Sequence, residues 1–519
     1  MPELPMSFKD RFDHFDQLRK EGLERKREHA MLTMPSLLPP EGRASNTALD
    51  VPYNSLSAEG INNLASRIMS VVFPLNGQSV FEILVEAPFK PEGKDDSELD
   101  AVFTSFEQSV MDTLAPTNMR ASINLAYRHL IAIGDVMLHM DDNFNFRLFR
   151  ADQYVVRRKH EGSWEEIIIR EAVNAEWHPE LKALPKGDTN ATGLREDGTQ
   201  EQWEPLYTQI MKHPDGSVCV EQEFRGHKVP GTKEKHLVSP YMPARWSSLI
   251  GESYGVSLVE DMFGDIRTLD SLSKALLDGV MLNAEYRWIL NPGGMLELQD
   301  FLDSINGDTL AGGREDLTPM SFQNNAQVAA AQAAVAHREA ILGRRFLMNS
   351  AVQPTGDRVT ARQVTLLAQE LEQALGGILS LASTELQEPI IRRAMFIMGK
   401  RGLLDSRIIE QIDEQGGFLK LRLRAGLEIL NREAEKENLE RAIGIMTNMS
   451  DAMLEGANMH IIGRDWWQAQ GLDAKGRWKT DEEMEQARQQ RQQAAQQQQV
   501  MQAGLQAGVA QASEQGDSQ

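Results

Sequence analysis

The sequence predicts a mixed, mainly helical α+β chain, and three observations predict it. Apolar residues recur at helical spacing over most of its length. Between residues 135 and 171 the period shifts to that of short strands separated by turn residues. Two long helical patterns flank a brief insert rich in Gly and Asp. With 519 residues, 41% of them hydrophobic, the chain can bury several cores, so one compact domain is not expected.

Taken in order, residues 8–32 read as a charge-rich amphipathic helix that lays Phe8, Phe12, Phe15, Leu18 and Leu23 on a neighbouring surface. After a Pro-rich break at 35–40, residues 57–73 place Ile61, Leu64, Ala65, Ile68 and Val72 on one face and stop at Pro74. Helices over 96–114 and 118–133 follow. Gly134 changes the period, and residues 135–141, 143–149, 154–158 and 164–171 read as strands of a β-rich subdomain. Beyond a polar loop at 185–199, residues 203–211 and 217–225 pair as a hairpin across His213-Pro214-Asp215-Gly216.

From Val256 the chain returns to helix. Leu258, Met262, Ile266, Leu269, Leu272, Leu276 and Val280 keep one apolar stripe for about seven turns. Asn291-Pro292-Gly293-Gly294 ends this rod, and residues 295–318 form a small insert. The helix over 326–348 carries Ala326, Ala329, Ala330, Ala331, Ala333, Ala334, Ala336 and Ala340, a strong helix former with slender side chains that lets copies pack closely. The polar stretch 349–358, with Pro354, Thr355 and Gly356, is expected to be an exposed loop. Thr360 and Gln363 form a capping box for a long helix, with Gly376-Gly377 and Pro389 as its kink points. Residues 418–424 alternate like a strand, residues 432–449 are helical, and Trp466-Trp467 anchor a last packed turn. The Gln- and Ala-rich tail 480–519 makes a poor helix alone and would need copies held side by side to form a bundle.

Composition narrows the function. A formal net charge of −22 opposes high-affinity DNA binding, which clustered Lys and Arg carry, though it leaves room for DNA as a passenger past acidic and neutral walls. A single cysteine, Cys219, excludes an intrachain disulfide framework and fits a reducing cytoplasm. No apolar run approaches a membrane span and residues 1–19 carry no secretory signal, so a soluble protein is expected.

Catalytic and metal motifs are missing from the sequence. No Gly-Lys pair has phosphate-loop context, there is no HExxH, and the Gly251–Gly255 run lacks nucleophile-elbow spacing and reads as a loop. His129 and His139 read as structural. The acidic pairs Asp95-Asp96, Asp141-Asp142 and Glu165-Glu166 read as solvated turns, because neighbours on a strand point to opposite faces. No enzyme activity, cofactor or metal is expected.

Three stretches carry a resemblance: YNSLSAEGINNLASRIMSVVFP at 53–74, PARWSSLIGESYGVSLVEDMFGDIRTLD at 243–270, and DRVTARQVTLLAQELEQALGGILSLASTELQEPIIRRAMFIM at 357–398. The chain resembles the portal, or head-to-tail connector, proteins of short-tailed bacteriophages (podovirus type) over residues 6–470. The resemblance implies a ring of about twelve copies around a DNA channel at one capsid vertex, through which the genome is packaged and ejected. It divides the chain into a wing over 1–256, a stem helix over 257–287, a clip over 288–325 and a second stem helix over 326–348. A channel loop follows over 349–358, with a long kinked helix and return to the wing over 359–430, a crown over 431–479 and the tail over 480–519. It implies assembly in the host cytoplasm, residence in the virion, no membrane insertion, and several partners. These are the major capsid protein and scaffold, the terminase large subunit, tail adaptor or tube proteins, internal core proteins at the crown, and double-stranded DNA.

The channel loop comprises Asn349, Ser350, Gln353, Pro354, Thr355, Gly356, Asp357 and Arg358, and clip docking falls to Asn291, Gly293, Gly294, Asp300 and Asp303. Arg338, Arg344, Arg345 and Arg358 cluster by the loop on an otherwise acidic chain. They are expected either to touch DNA phosphates transiently or to form ion pairs between subunits. The alternative to a portal is a virion scaffold or tail adaptor without a channel.

Overall fold

The computed structural model describes residues 7–43, 47–73, 80–85, 96–185, 203–284, 287–320, 325–348, 381, 383–402 and 419–423. They fall in the first of two compact units, Met1–Ile429 and Leu430–Gln519. The expected channel loop, the capped start of the long helix with Gly376-Gly377, the crown, Trp466-Trp467 and the tail lie outside the described residues.

The first helical stretch is two helices, α1 (Phe8–Leu18) and α2 (Lys20–Met31), and not one. Ser7 caps α1 by accepting the Asp10 N–H at 3.2 Å. The break falls at Arg19, whose guanidinium turns inward to donate to the Ala151 carbonyl at 2.7 Å and to lie 5.2 Å over the Tyr254 ring. Phe8 and Phe12 pack against Val155, Ile168 and Tyr207 as the stripe predicts, whereas Leu18 points to solvent.

Next come α3 (Leu56–Val72), β1 (Phe81–Val85), α4 (Asp96–Leu114) and α5 (Met119–Ile133). Ile61, Leu64, Ala65, Ile68 and Val72 of α3 are all buried, packed with α5 in the largest core. Gly134 ends α5 in the left-handed region (φ 90°), its N–H shared between the His129 and Leu130 carbonyls at 3.1 and 3.0 Å.

The β-rich part contains β2 (Asp135–Met140), β3 (Phe146–Phe149), β4 (Tyr154–Arg158) and β5 (Trp164–Asn174), then the short α6 (Pro179–Lys182). It continues with β6 (Trp203–Lys212), β7 (Val218–Phe224), β8 (His227–Lys228), β9 (Glu234–His236), β10 (Tyr241–Arg245), β11 (Ser247–Ser248) and β12 (Gly255–Val256). Antiparallel pairing gives a sheet in the order β4-β5-β6-β7-β8, with β9 also on β7, and a three-stranded sheet in the order β10-β2-β3. Strand β3 is shorter than expected because Asp141 accepts the N–H groups of Asn143 and Asn145, each at 2.8 Å, and turns the chain there. Strand β10 was not anticipated. It contains Pro243, which an edge strand tolerates because one side of its backbone needs no ladder donor.

The acidic pairs are not all solvated. Glu166 is buried on β5, where α1 covers the sheet, and it receives the Arg11 side chain and the Gln209 amide at 2.6 Å. Asp142 pairs with the buried Arg393.

The helical rod is α7 (Leu258–Ala284). The insert holds β13 (Arg287–Leu290), α8 (Leu298–Asp303) and β14 (Leu317–Met320), and the alanine-rich helix is α9 (Asn325–Arg345). A π-helical turn at Ser383–Gln387 leads into α10 (Glu388–Lys400), with Pro389 in its first turn, where its missing N–H costs no helical hydrogen bond, so Pro389 marks a helix start where a kink was expected. Strand β15 (Leu419–Leu423) pairs antiparallel with β1, Phe81 opposite Leu423. No helix among the described residues is long and apolar enough to cross a membrane.

Two buried histidines bear on stability. His29 and His129 are held neutral, each pushed down to about 4 chiefly by burial. Among the described residues neither His29 ring nitrogen has a hydrogen-bond partner, and its ring lies 4.5 Å from that of Phe263 on α7, tilted by 56°. A folded pKa below the unfolded value of 6.5 leaves stability undiminished above that pH and erodes it as pH falls toward 4. Thermal unfolding between pH 7.5 and 4.5 should therefore show Tm dropping below pH 6.5, with each histidine costing up to about 3 kcal/mol at the acid end. His29→Phe should make that acid drop shallower.

Candidate assembly surface: the helical hairpin and its tip

The hairpin is rooted where two chain segments cross. A Cβ on Gly255 would lie 2.5 Å from the Gly134 carbonyl oxygen, and one on Gly134 would lie 2.8 Å from the Ser257 nitrogen, so both positions demand glycine. Asp135 accepts the Gly255 N–H at 2.8 Å and pairs with Lys26, whose Nζ also donates to the Gly255 carbonyl at 2.9 Å. Ser257 accepts the Glu260 N–H at 3.0 Å and caps α7.

On α7, Val259, Met262, Ile266 and Leu269 are buried against the body. Farther out, Leu277, Val280 and Met281 are 49%, 44% and 58% exposed, because the stripe continues past the core that covers its first half. Helix α9 returns along α7, held by an ion pair between Arg338 and Asp265 and by Asn54, whose amide donates to Glu339 at 3.0 Å and to Ser273 at 3.4 Å.

The inner end of α9 is pinned. Leu342 and Phe346 are fully buried, and the Phe346 ring occupies the space a Cβ on Gly60 of α3 would need, 2.5 Å away. Leu347 adopts a left-handed φ of 55°, and Met348 donates its N–H to the Gly343 carbonyl at 2.8 Å, so the helix stops at that point. The expected loop begins at the next residue.

At the outer end, β13 and β14 close the hairpin, Arg287 opposite Met320. Asp316 organises the tip. Its carboxylate accepts the N–H groups of Met295 at 3.0 Å and Gly313 at 2.7 Å, and its carbonyl accepts that of Asn291 at 2.9 Å. Around this knot Trp288, Ile289, Met295, Leu298, Leu302 and Ile305 are exposed, Met295 to 84%. Apolar side chains presented together on a small projection mark a contact surface.

The expected site residues divide accordingly. Asn291, Gly293, Asp300 and Asp303 are exposed on the tip, whereas Gly294 lies against Asp316, where a Cβ would be 2.3 Å from the carboxylate oxygen. Gly294 thus serves the shape of the tip. Asp316 itself was missed, and only its position three residues after Gly312-Gly313 hinted at a turn. Arg338 is engaged by Asp265, while Arg344 and Arg345 are exposed at the inner end of α9, Arg344 donating to the Ala340 carbonyl at 3.3 Å. Arg358 lies outside the described residues. His129 and His139 are structural, His139 with its ring 4.6 Å from that of Tyr241. Among the described residues no group of His, Cys, Asp and Glu could hold a metal ion.

A body of helices and antiparallel sheets, from which a two-helix hairpin carries an apolar tip, defines a protein built to assemble with others. The chain belongs to the family of bacteriophage head to tail connecting proteins, whose pattern it matches over residues 6–476. It is 28% identical to the portal protein of Enterobacteria phage T3 over 471 residues, covering 88% of this chain and 85% of that protein. It is likewise 28% identical to the portal protein of Escherichia phage T7 over 473 residues, with the same coverage. Among solved structures, a chain in the neck of an empty GTA particle aligns over 79% of this chain and 90% of its own, at 13% identity and a TM-score of 0.35, too loose a likeness to bear on the fold.

Two substitutions probe this construction. Phe346→Ala should destabilise the protein by about 3–5 kcal/mol in chemical denaturation, and Gly60→Ala by about 1–3 kcal/mol, because the ring must give way. Asp316→Ala should leave global stability within about 1 kcal/mol of the parent, since it frees only tip N–H groups, yet limited proteolysis should then cut between residues 291 and 316 much faster.

Proposed function

We infer that this chain is a portal protein: a virion component that forms the DNA channel at one capsid vertex, serves genome packaging and ejection, and then joins head to tail. The match to the connector family over residues 6–476 is the observation that carries this reading. The portal relatives, aligned over 88% of the chain, support it. The role is structural, with packaging driven by a separate ATPase.

In this reading about twelve copies close into a ring by rotational symmetry. The body over 1–256 forms the wing, α7 and α9 the stem, and residues 288–325 the clip. The exposed apolar tip suits docking of the terminase large subunit during packaging and of tail adaptor or tube proteins afterwards. Capsid protein and scaffold meet the wing, and core proteins meet the crown. Residues 349–358 form the channel loop.

Of the three arginines that the structure describes, Arg344 and Arg345 are the exposed ones, and this reading gives them, with Arg358, the contact with DNA. Arg338 is already neutralised by Asp265, and a paired guanidinium offers less to a phosphate. Weak, transient phosphate contacts suit a channel in which DNA must slide.

Electron microscopy of the purified protein should show closed rings with an axial hole wide enough for duplex DNA. Rings without a hole would favour a tail adaptor. With assembly verified, Arg344→Ala with Arg345→Ala should lower DNA retention in filled heads several-fold, and Arg338→Ala should not. Normal retention in the double variant would instead assign both arginines to contacts between subunits.

A further inference from the structure

The outer half of α7 repeats its inner half. Leu277, Val280 and Met281 each lie eighteen residues, about five helical turns, beyond Val259, Met262 and Phe263, and so face the same direction. The inner three contribute to the main core, Val259 and Met262 fully and Phe263 in part. The outer three are about half exposed, and among the described residues nothing covers them. A second apolar face of this kind, continuous with a buried one, is the mark of a surface covered on assembly.

The same hairpin offers a matching surface. On α9, Ala329, Ala330, Ala333, Ala336 and Ala340 are all exposed and lie within one broad sector of the helix. At its outer end, around Ala329, Ala330 and Ala333, only the short Cβ of alanine stands between a neighbour and the backbone, so large side chains can seat closely there, whereas the exposed His337 and Arg344 share the sector farther in. The levels agree as well. Arg338 pairs with Asp265, so in this antiparallel hairpin residue 277 of α7, twelve residues outward from Asp265, stands level with the first residues of α9. In a ring whose axis runs along the hairpin, rotation preserves that level, so Leu277 of one copy would meet the neighbouring copy at the start of α9, within about one turn of Ala329 and Ala330.

We propose that Leu277, Val280 and Met281 on α7 of one copy pack on the alanine face of α9 in the next copy, closing the stem of the ring by large side chains against small ones. The proposal rests on the ring reading above and goes further by assigning the two faces. It leaves the apolar tip free for other partners, and it makes the contact heterologous, one surface of each helix pair against a different surface of the next.

Cysteine crosslinking tests it. In a Cys219→Ser background, which removes the single native thiol, Leu277→Cys combined with Ala330→Cys is oxidised in the assembled ring and run on a denaturing gel. The expected result is a ladder of covalent multimers containing most of the protein, with neither single variant producing one. Rings visible by microscopy that yield only monomers, or only the faster-migrating internally linked monomer, would overturn the contact. Should the double variant fail to assemble, Val280→Cys alone serves. Its labelling by a bulky maleimide should be at least tenfold slower in rings than in dissociated chains, and equal rates would overturn the proposal, leaving the face to capsid or tail proteins. If the parent protein itself remains monomeric in sedimentation, the ring reading fails and this contact with it.

Discussion

The hairpin depends on the crossing of Gly134 over Gly255, where backbone meets backbone. Two backbones meet there at a separation that leaves no room for a Cβ on either side, and the adjacent Asp135 carboxylate ties the crossing to Lys26 on α2. Burying this ion pair is tolerable because its groups are also satisfied by the Gly255 N–H and carbonyl. Through that contact the end of α5, the start of β2 and the beginning of α7 share one fixed point. The direction in which the hairpin leaves the body follows from it.

A projecting hairpin needs its other root held too, and the holding is of a different kind. Phe346 enters a socket that exists because residue 60 lacks a side chain, so the inner end of α9 is fixed by shape and apolar burial rather than by charge. A substitution there acts through overpacking or a void, each costly in a close-packed interior. Between the two roots Arg338 pairs with Asp265 and Asn54 bridges Glu339 and Ser273, while Leu277, Val280 and Met281 of α7 and the alanines of α9 stay exposed. A hairpin of this design is held at its base and exposed along its outer length. That is appropriate to a chain whose family works as an assembly.

The return of the chain to the body uses a buried polar cluster. Glu385, in the π-helical turn, accepts the Arg245 N–H at 2.8 Å and its Nε–H at 3.0 Å, while Arg158 stands 3.5 Å from the same carboxylate. Arg158 also donates to the carbonyls of Ser253, Gly162 and Pro243 at 3.0–3.1 Å. One carboxylate between two arginines carries a net positive charge into the interior, and these carbonyls offset it. The arrangement joins β4, β10 and the segment before α10, which lie far apart in sequence.

What the sequence determined by itself is whatever local pattern controls. The helices α3, α5, α7 and α9, the change of period at Gly134 and the turn at 213–216 could all be read from apolar spacing, glycine and proline, because each depends on neighbours within a few residues. The family resemblance likewise rested on contiguous stretches, and it held. Only the tertiary structure decided that Arg19 breaks the first helix to reach Ala151 and Tyr254, and that Glu166 is buried beneath Arg11. It alone paired Tyr241–Arg245 with β2 and Phe81–Val85 with β15. It also decided that Gly60 and Gly294 make room for Phe346 and Asp316. These outcomes depend on residues tens to hundreds of positions apart, and a contact across that distance leaves no period in the sequence to betray it.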